Sequence, residues 1–366
     1  MKKRILLSLC CLSLMSVNLN AEEVVGLENN INTLQVPSKV IDSRENDDVK
    51  FALELGAKTD FWDPGLSSND GQDILEYDTE GLYLGYAILK TKIHNTDVFT
   101  LEKFSTLTSS DDQKELLLEY KNDKKKESSV DGYKMSIQLM KILNYWFDTD
   151  FLNGLEYKYQ TRNFIGNAEL KEDAFYWFGN NPGDLDIDYF RFQKGSNISF
   201  KTKFTDNRLL YKFTAEDGMN PFIGVFKSEW SKPTYIDKST ANNNPVFFPA
   251  TYEIKGLTLG FDMGGNNGFA MNCFLDYGID NNIYLDNGRN LENTLSEDNI
   301  DLTMISYGLD IDYIIPIYSN SYLNLNLLIG GKGYWSRMIA SSKGKQGEAI
   351  DKETLYSVKT ALEATF

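Results

Sequence analysis

The chain has 366 residues, a formal net charge of −16 and a mean hydropathy of −0.38. The excess of acidic side chains argues against nucleic acid as a partner, and no stretch approaches the run of about 18 apolar residues that a membrane-spanning helix needs. With 27 Gly, 21 Tyr and 13% aromatic residues, the composition suits a β protein whose apolar residues are spread over alternating positions.

The amino-terminal segment has the parts of a secretory signal peptide. A basic start, Met1 to Arg4, is followed by the apolar run Ile5 to Met15 and by Ala21, a small residue near which cleavage is expected. We therefore assign residues 1–21 to a signal peptide. Removing its three basic residues from 37 leaves 34 Lys and Arg against 53 Asp and Glu, a net charge of −19.

The cysteines add two constraints. Cys10 and Cys11 suggest a lipoprotein as an alternative, but Leu9 stands where a small residue should precede a lipid-modified cysteine. After cleavage near Ala21 only Cys273 remains, so the mature chain cannot form an intramolecular disulfide. Its stability must come from strand pairing and burial.

Residues 22–48 precede the first predicted strand and form a periplasmic or plug segment. Val24, Leu27, Ile31 and Leu34 follow heptad spacing, which predicts a short amphipathic helix that closes the lumen or makes a periplasmic contact. Two heptads are too few for a stable coiled coil on their own, and a disordered linker is the alternative.

The remaining chain, residues 49–366, is predicted to form twelve strands from its period-two runs and turn signals. These strands are placed at 49–59, 80–91, 98–108, 132–143, 154–165, 187–204, 209–216, 251–263, 269–279, 301–314, 321–334 and 354–366. Short connections are expected at 92–97, 144–153, 205–208, 264–268 and 315–320, and long ones at 60–79, 109–131, 166–186, 217–250, 280–300 and 335–353. A soluble sandwich has no reason to sort its connections, whereas a membrane barrel has short turns at one end and long loops at the other.

The strand count has an alternative of fourteen. Glu115 to Tyr120 and Phe222 to Phe226 are two further candidate strands, which we interpret as structure within long loops. In the strand at 251–263, Tyr252 and Ile254 have the opposite parity to Leu257, so a bulge is expected at Gly256.

One face of most predicted strands is free of charge, as a lipid-facing surface requires. The predicted outward residues are Phe51, Leu53, Leu55; Leu82, Leu84, Tyr86, Ile88; Tyr133, Met135, Ile137, Leu139; Phe269, Met271, Leu275, Tyr277; Ile305, Tyr307, Leu309, Ile311, Tyr313; Leu323, Leu325, Leu327 and Ile329.

The final strand alternates by parity and stops on an aromatic residue. Tyr356, Val358, Leu362, Ala364 and Phe366 share one face, while polar residues occupy the other. This end resembles the carboxyl-terminal strand of Gram-negative outer-membrane β-barrels of the porin-like superfamily.

That resemblance implies an all-β fold, a transmembrane antiparallel up-and-down β-barrel in the outer membrane. It implies that the five apolar residues of the last strand are recognised by the barrel-insertion machinery. Contact with membrane lipid and lipopolysaccharide follows from the location, and a homo-oligomer is compatible with it.

The predicted inward positions carry two sets of opposite charge. The basic set is Lys134, Lys158, Arg162, Arg191, Lys201, Lys203 and Lys212, with Glu156 as the main exception; the acidic set is Asp262, Asp276, Asp310 and Asp312. In a closed barrel these sets form two arcs on different parts of one wall. This arrangement is similar to the transverse field of general diffusion porins, which selects charged or dipolar solutes.

The predicted function is therefore a porin-like channel for passive diffusion of small hydrophilic or charged solutes. The alternative is a plugged structural or adhesin-type barrel, in which the charges pair to fill a closed interior and the outer loops bind a partner. A secretion pore gated by residues 22–48 is a third hypothesis.

The sequence predicts no enzyme, cofactor or metal site. Barrel hydrolases resemble one another in needing a histidine beside other polar groups, and the chain's single histidine, His94, falls in a predicted periplasmic turn. The acidic loops lack a twelve-residue calcium spacing, and no zinc spacing or nucleotide loop is present. The run Lys124 to Lys126 is expected to be solvated or to touch lipopolysaccharide phosphate.

Overall fold

The computed structural model describes residues 49–63, 75–77, 82–94, 96–107, 118–120, 129–147, 149, 151–170, 173–177, 189–214, 219–236, 246–264, 268–285, 300–342 and 348–366. The predicted signal peptide and the segment 22–48 lie outside these residues.

The described residues form sixteen strands and one helix. In chain order they are β1 (Val49–Asp63), β2 (Leu75–Tyr77), β3 (Leu82–Ile93), β4 (Thr96–Thr106), β5 (Leu118–Tyr120), β6 (Ser129–Ile137), α1 (Leu139–Phe147), β7 (Leu155–Leu170), β8 (Ala174–Trp177), β9 (Tyr189–Phe192), β10 (Asn197–Lys212), β11 (Met219–Ile236), β12 (Val246–Gly264), β13 (Phe269–Leu285), β14 (Ile300–Ser319), β15 (Asn324–Ser342) and β16 (Glu348–Thr365). No helix in this part of the chain is long and apolar enough to cross a membrane.

Twelve of the described strands close into an antiparallel barrel. The hydrogen-bonded order is β1, β3, β4, β6, β7, β10, β11, β12, β13, β14, β15 and β16, and β1 also pairs with β16. At the seam, the Phe366 amide donates to the Phe51 carbonyl at 2.8 Å. Closure satisfies the backbone groups that an open sheet edge would leave unpaired in lipid, and it confirms the predicted twelve-stranded barrel.

The outer surface is apolar and the inner surface is charged, which is the reverse of a water-soluble barrel. On β1, Leu53 and Leu55 are exposed whereas Glu54 between them is 1% exposed. On β16, Val358 and Leu362 are exposed whereas Glu363 is buried. Alternation of this kind places lipid outside and polar groups inside.

The apolar band ends at aromatic residues. On the outer surface the Trp335 indole stacks on Tyr307 at 5.1 Å and donates a hydrogen bond to the Tyr356 hydroxyl at 3.0 Å. Ten residue steps separate Tyr356 from Phe366, which at about 3.3 Å per residue and a tilt of about 40° gives a height of about 25 Å, the usual height of such a band. Exposed Arg337 follows Trp335 on the same face, so the outer surface carries charge again beyond these aromatic residues.

The connections follow the predicted alternation of short and long only in part. At one end, two to six residues join β3 to β4, β10 to β11, β12 to β13 and β14 to β15, but the β6–β7 connection has 17 residues and contains α1. At the other end the long connection predicted at 335–353 is wrong, because β15 and β16 extend into that range and only five residues separate them. By the rule for outer-membrane barrels, the end with the tight turns is periplasmic.

The predicted turn at 205–208 is wrong, because β10 runs unbroken from Asn197 to Lys212. Asp206 and Arg208 resemble turn residues in sequence, but both project into the interior, where Asp206 accepts a hydrogen bond from Ser228. The strands predicted at 187–204 and 209–216 are therefore replaced by β10 and β11, and β11 contains the segment 222–226 that was assigned to a loop.

Two other local predictions are corrected. The strand predicted at 132–143 stops at Ile137 and is followed by α1. On β3, Leu84 and Tyr86 are buried and face inward, whereas Tyr83 is exposed. The Tyr86 hydroxyl donates to the inward-facing Glu54 at 3.0 Å. The prediction that Leu84 and Tyr86 face outward is therefore wrong.

The four short strands lie beyond the barrel wall proper and do not raise its strand number. β2 pairs with the end of β7, β5 with the start of β10, and β8 with β9 and β12. The pairing of β12 with β13 is irregular at Lys255 and Gly256, where the bulge was expected. Tyr252 and Ile254 are nevertheless buried and face inward.

Candidate functional site: the barrel lumen

Ion pairs occupy the lumen through most of its height. They join Lys58 to Glu102, Lys90 to Glu54 and Glu363, Lys134 to Glu102, Lys158 to Glu156, Arg162 to Glu353, Arg208 to Asp206 and Asp276, Lys212 to Glu156 and Asp262, Lys332 to Asp310, and Lys359 to Asp312. Buried charges of one sign need such partners, because an isolated charge loses its hydration.

Some of these pairs cross the lumen rather than follow the wall. Arg162 on β7 lies 3.3 Å from Glu353 on β16, and these strands are five steps apart in the twelve-stranded ring. Both side chains are buried. We call such an ion pair, which joins two separate parts of the wall across the interior, a chord. This one narrows the interior near the extracellular side.

A second chord is made by Arg208 on β10. Its two terminal nitrogens donate to the two Asp276 carboxylate oxygens at 2.9 and 2.8 Å, and its Nε donates to Asp206 at 2.6 Å. The guanidinium also lies over the Phe274 ring, 4.9 Å from its centroid. A planar fork matched to a carboxylate is the strongest geometry for an ion pair.

Some charged side chains of the lumen wall retain contact with water. The side chains of Lys134 and Lys158 on β6 and β7 are 31% and 32% exposed, and that of Asp310 on β14 is 39% exposed. The strands of Lys134 and Asp310 are six steps apart in the ring of twelve, so these two side chains lie on opposite sides of the barrel. Basic and acidic parts of the wall therefore face one another over a polar gap.

Aromatic rings line the lumen in a recurrent arrangement with glycine. A ring lies over the directly opposite glycine of the next strand in four pairs: Tyr86 on Gly56, Phe104 on Gly132, Phe222 on Gly260 and Phe274 on Gly308. A cation lies over each ring; for example, the Lys58 ammonium is 4.1 Å from the Phe104 centroid. Because glycine has no side chain, the ring can pack against its backbone. The face of the ring in turn attracts the cation.

Eight of the predicted lumenal residues have inward side chains. They are Lys134, Lys158, Arg162, Lys212, Asp262, Asp276, Asp310 and Asp312. Both predicted arcs are therefore present on the wall, but the members of each arc are paired with opposite charges.

The other three predicted residues lie elsewhere. Lys203 is exposed on the outer face, because β10 has no turn to reverse its parity and its neighbour Thr202 is buried. Lys201 lies on β10 and Arg191 on β9, which is not a barrel strand. The side chains of these two residues lie outside the described part.

Several lumenal charges were missed in the sequence. They are Glu54, Lys58, Lys90, Glu102, Arg208, Lys332, Glu353, Lys359 and Glu363. Parity would have found most of them, since each alternates with apolar outward residues on its own strand. The signal at Arg208 was hidden by the false turn.

The residues assigned to membrane insertion lie on the outer face of β16. Tyr356, Val358, Leu362 and Phe366 are exposed there, and Ala364 is half-buried.

His94 occupies the short β3–β4 connection, with φ of 48°, and its ring meets Tyr145 edge-on at 5.9 Å. Among the described residues, no group of three or more His, Cys, Asp or Glu side chains is arranged to hold a metal ion.

A closed twelve-stranded antiparallel barrel with an apolar outer band and a charged interior has the architecture of an outer-membrane-type transmembrane β-barrel. No family model matches the chain, and no curated protein sequence matches it. Distant structural likenesses include the outer membrane protease OmpT from Escherichia coli (8% identity, TM-score 0.30, 87% of this chain and 95% of that one). The Ralstonia pickettii toluene transporter TbuX (10%, 0.27, 87% and 89%) and the β domain of the Bordetella autotransporter BrkA (11%, 0.26, 86% and 99%) are similar to a comparable degree. Likenesses this distant carry no argument, so the assignment rests on the closed sheet and its polarity.

Proposed function

We propose that the protein is an outer-membrane channel through which small hydrophilic or charged solutes diffuse passively. The observation that carries this proposal is the water-accessible gap between Lys134 and Lys158 on one wall and Asp310 on the other. A lumen serving only as a packed core gains nothing from half-exposed opposite charges, whereas a solute path uses them to orient dipoles.

The chords set the expected size of the path. Arg162 with Glu353 and Arg208 with Asp276 cross the interior, and Arg208 lies opposite Lys158 in the strand register, so conductance should be low compared with that of a wide pore. Solutes with both charge signs can exchange with these pairs during passage. Partners on this proposal are membrane lipid, lipopolysaccharide and the solute, without a cofactor and without catalysis.

The test is single-channel conductance of the refolded protein in a planar bilayer under a salt gradient. Discrete steps are expected. The variant Lys134→Gln/Lys158→Gln removes two basic charges from the gap, so its reversal potential should shift toward cation preference. Lys203→Gln, on the outer face, is the matched control and should leave the potential unchanged. An identical reversal potential in all three proteins would contradict the proposal.

A plugged barrel that presents its outer loops to a partner is the second candidate. The burial of Arg162, Glu353, Asp206 and Asp276 favours it, because these groups fill the interior between opposite walls. This candidate predicts a folded, heat-modifiable barrel with no conductance, even after Arg162→Met/Glu353→Gln removes a chord. Binding would then depend on the loops between β7 and β10 and between β13 and β14.

A further inference from the structure

The polarity of helix α1 is inverted relative to that of a surface helix in water. At 100° per residue, Leu139, Leu143 and Trp146 fall within a narrow arc, with Phe147 beside it. Leu139 and Phe147 are 52% and 71% exposed, whereas Asn144, on the far side, is 5% exposed. Leu143 and Trp146 are half-buried, and the Trp146 indole nitrogen is buried. The two ends of the apolar arc therefore point away from the protein, and Asn144 points toward it.

Hydrogen bonds hold the polar side in place. Asn144 Nδ2 donates to the Phe151 carbonyl and to Asn153 Oδ1, both at 2.7 Å, and Asn144 Oδ1 accepts from the Thr149 hydroxyl at 2.6 Å. Lys141, also on this side, is close enough to the lumenal Lys212 for their charges to interact. The polar side of α1 is thus held by hydrogen bonds to the turn that follows the helix, at residues 149–153.

The turn after the helix extends the apolar arc. Phe151 and Leu152 are both exposed. Leu152 has φ of 49°, a left-handed conformation that is unfavourable for a branched side chain. The Leu152 backbone is strained, and yet the apolar side chain that it carries is turned outward. Packing into the core of a water-soluble protein would not explain this, because the side chain is not buried.

The helix continues the barrel wall where β6 ends early. The Gln138 amide donates to the Val98 carbonyl of β4 at 2.8 Å, and α1 contacts both β4 and β7, the neighbours of β6. Outward residues Tyr133, Met135 and Ile137 of β6 lead directly into Leu139. The exposed arc is therefore continuous with the lipid-facing band.

We propose that α1 and the Phe151–Leu152 turn form an interfacial anchor that inserts its apolar arc into the acyl chains of the periplasmic leaflet. An interfacial helix needs an apolar face toward lipid and a polar face elsewhere, and here the polar side is turned away from the exposed residues and is hydrogen-bonded to the following turn. This inference is independent of whether the lumen conducts.

The test is site-directed spin labelling of the full-length barrel refolded in phospholipid vesicles, with Cys10, Cys11 and Cys273 replaced by serine. A label is placed by Phe147→Cys or, separately, by Leu139→Cys. Collision with oxygen, which concentrates in lipid, is compared with collision with a water-soluble nickel chelate. Leu257→Cys in the lipid-facing band and Lys194→Cys in the β7–β10 connection are the lipid and water references, and Lys141→Cys reports the opposite helix side.

At both arc positions, oxygen accessibility is expected to exceed nickel accessibility several-fold, as at position 257, whereas position 141 should not show this excess. Nickel accessibility equal to that of position 194 would overturn the proposal by placing the arc in water. Low accessibility to both reagents would also overturn it, since a protein partner or a second copy would then cover the arc. Heat-modifiability confirms that each labelled variant is folded, and the two arc positions provide independent results.

Discussion

Removing the Arg208 guanidinium tests whether the lumen is stabilised by its cross-wall ion pairs. In Arg208→Met, two buried carboxylates lose the cation between them, since Asp276 is 1% exposed and Asp206 is 5% exposed. Breaking a buried pair by removing one partner costs about 3–5 kcal/mol. We therefore expect the free energy of unfolding to fall by about that amount.

A neutral replacement of the whole cluster should recover most of this loss. In Arg208→Met/Asp206→Asn/Asp276→Asn the side chains keep their volumes and no buried charge is left. Replacing a buried ion pair by neutral residues is often close to neutral in stability, so we expect the triple variant to lie within about 2 kcal/mol of the original protein. The coupling energy of the cluster is the difference between the stability change measured for the triple variant and the sum of the changes measured for the three single variants.

The assay is reversible denaturant unfolding in lipid vesicles or detergent, followed by tryptophan fluorescence. Arg337→Met is the control, because Arg337 is exposed on the outer face beyond the aromatic ring, where substitutions usually change stability by less than about 0.5 kcal/mol. If Arg208→Met is as stable as Arg337→Met, the carboxylates are solvated by lumenal water and the reasoning from burial fails.

Two further substitutions probe the packing of the lumen wall. In Gly132→Val a Cβ would lie 2.2 Å from the Thr161 carbonyl and 2.6 Å from the Phe104 ring, and such overpacking costs about 1–3 kcal/mol, measurable in the same unfolding assay. In Tyr86→Phe the buried Glu54 carboxylate loses a hydroxyl donor, which should cost about 1–3 kcal/mol.

Outer-face controls separate these effects from general loss of β propensity. Ala57→Val and Tyr83→Phe change exposed positions on β1 and β3, and each is expected to change stability by less than about 0.5 kcal/mol. An equal effect of Ala57→Val and Gly132→Val would show that the aromatic–glycine contact contributes nothing. If Tyr83→Phe lowered the free energy of unfolding as much as Tyr86→Phe, the inward hydroxyl would have no specific stabilising role.

The amino-acid sequence by itself determined the twelve-stranded barrel and the lipid-facing side of β14 and β16. These features depend on local period-two alternation, which a single strand displays without reference to its neighbours. Eight of the predicted lumenal charges followed from the same parity. The prediction failed where parity and turn signals conflicted, as at Asp206 and Arg208, because polar residues in mid-strand resemble a turn until the interior is known to be charged.

Only the tertiary structure decided which charges meet. Arg162 and Glu353 are 191 residues apart in the chain, and their contact depends on closure of the barrel and on the stagger of its strands, neither of which local periodicity contains. The same holds for α1: its apolar residues are compatible with an extended strand or a helix, and the early end of β6 between β4 and β7 gave the helix its place in the wall. Its exposed apolar residues face outward while Asn144, on the other side, is hydrogen-bonded to the following turn.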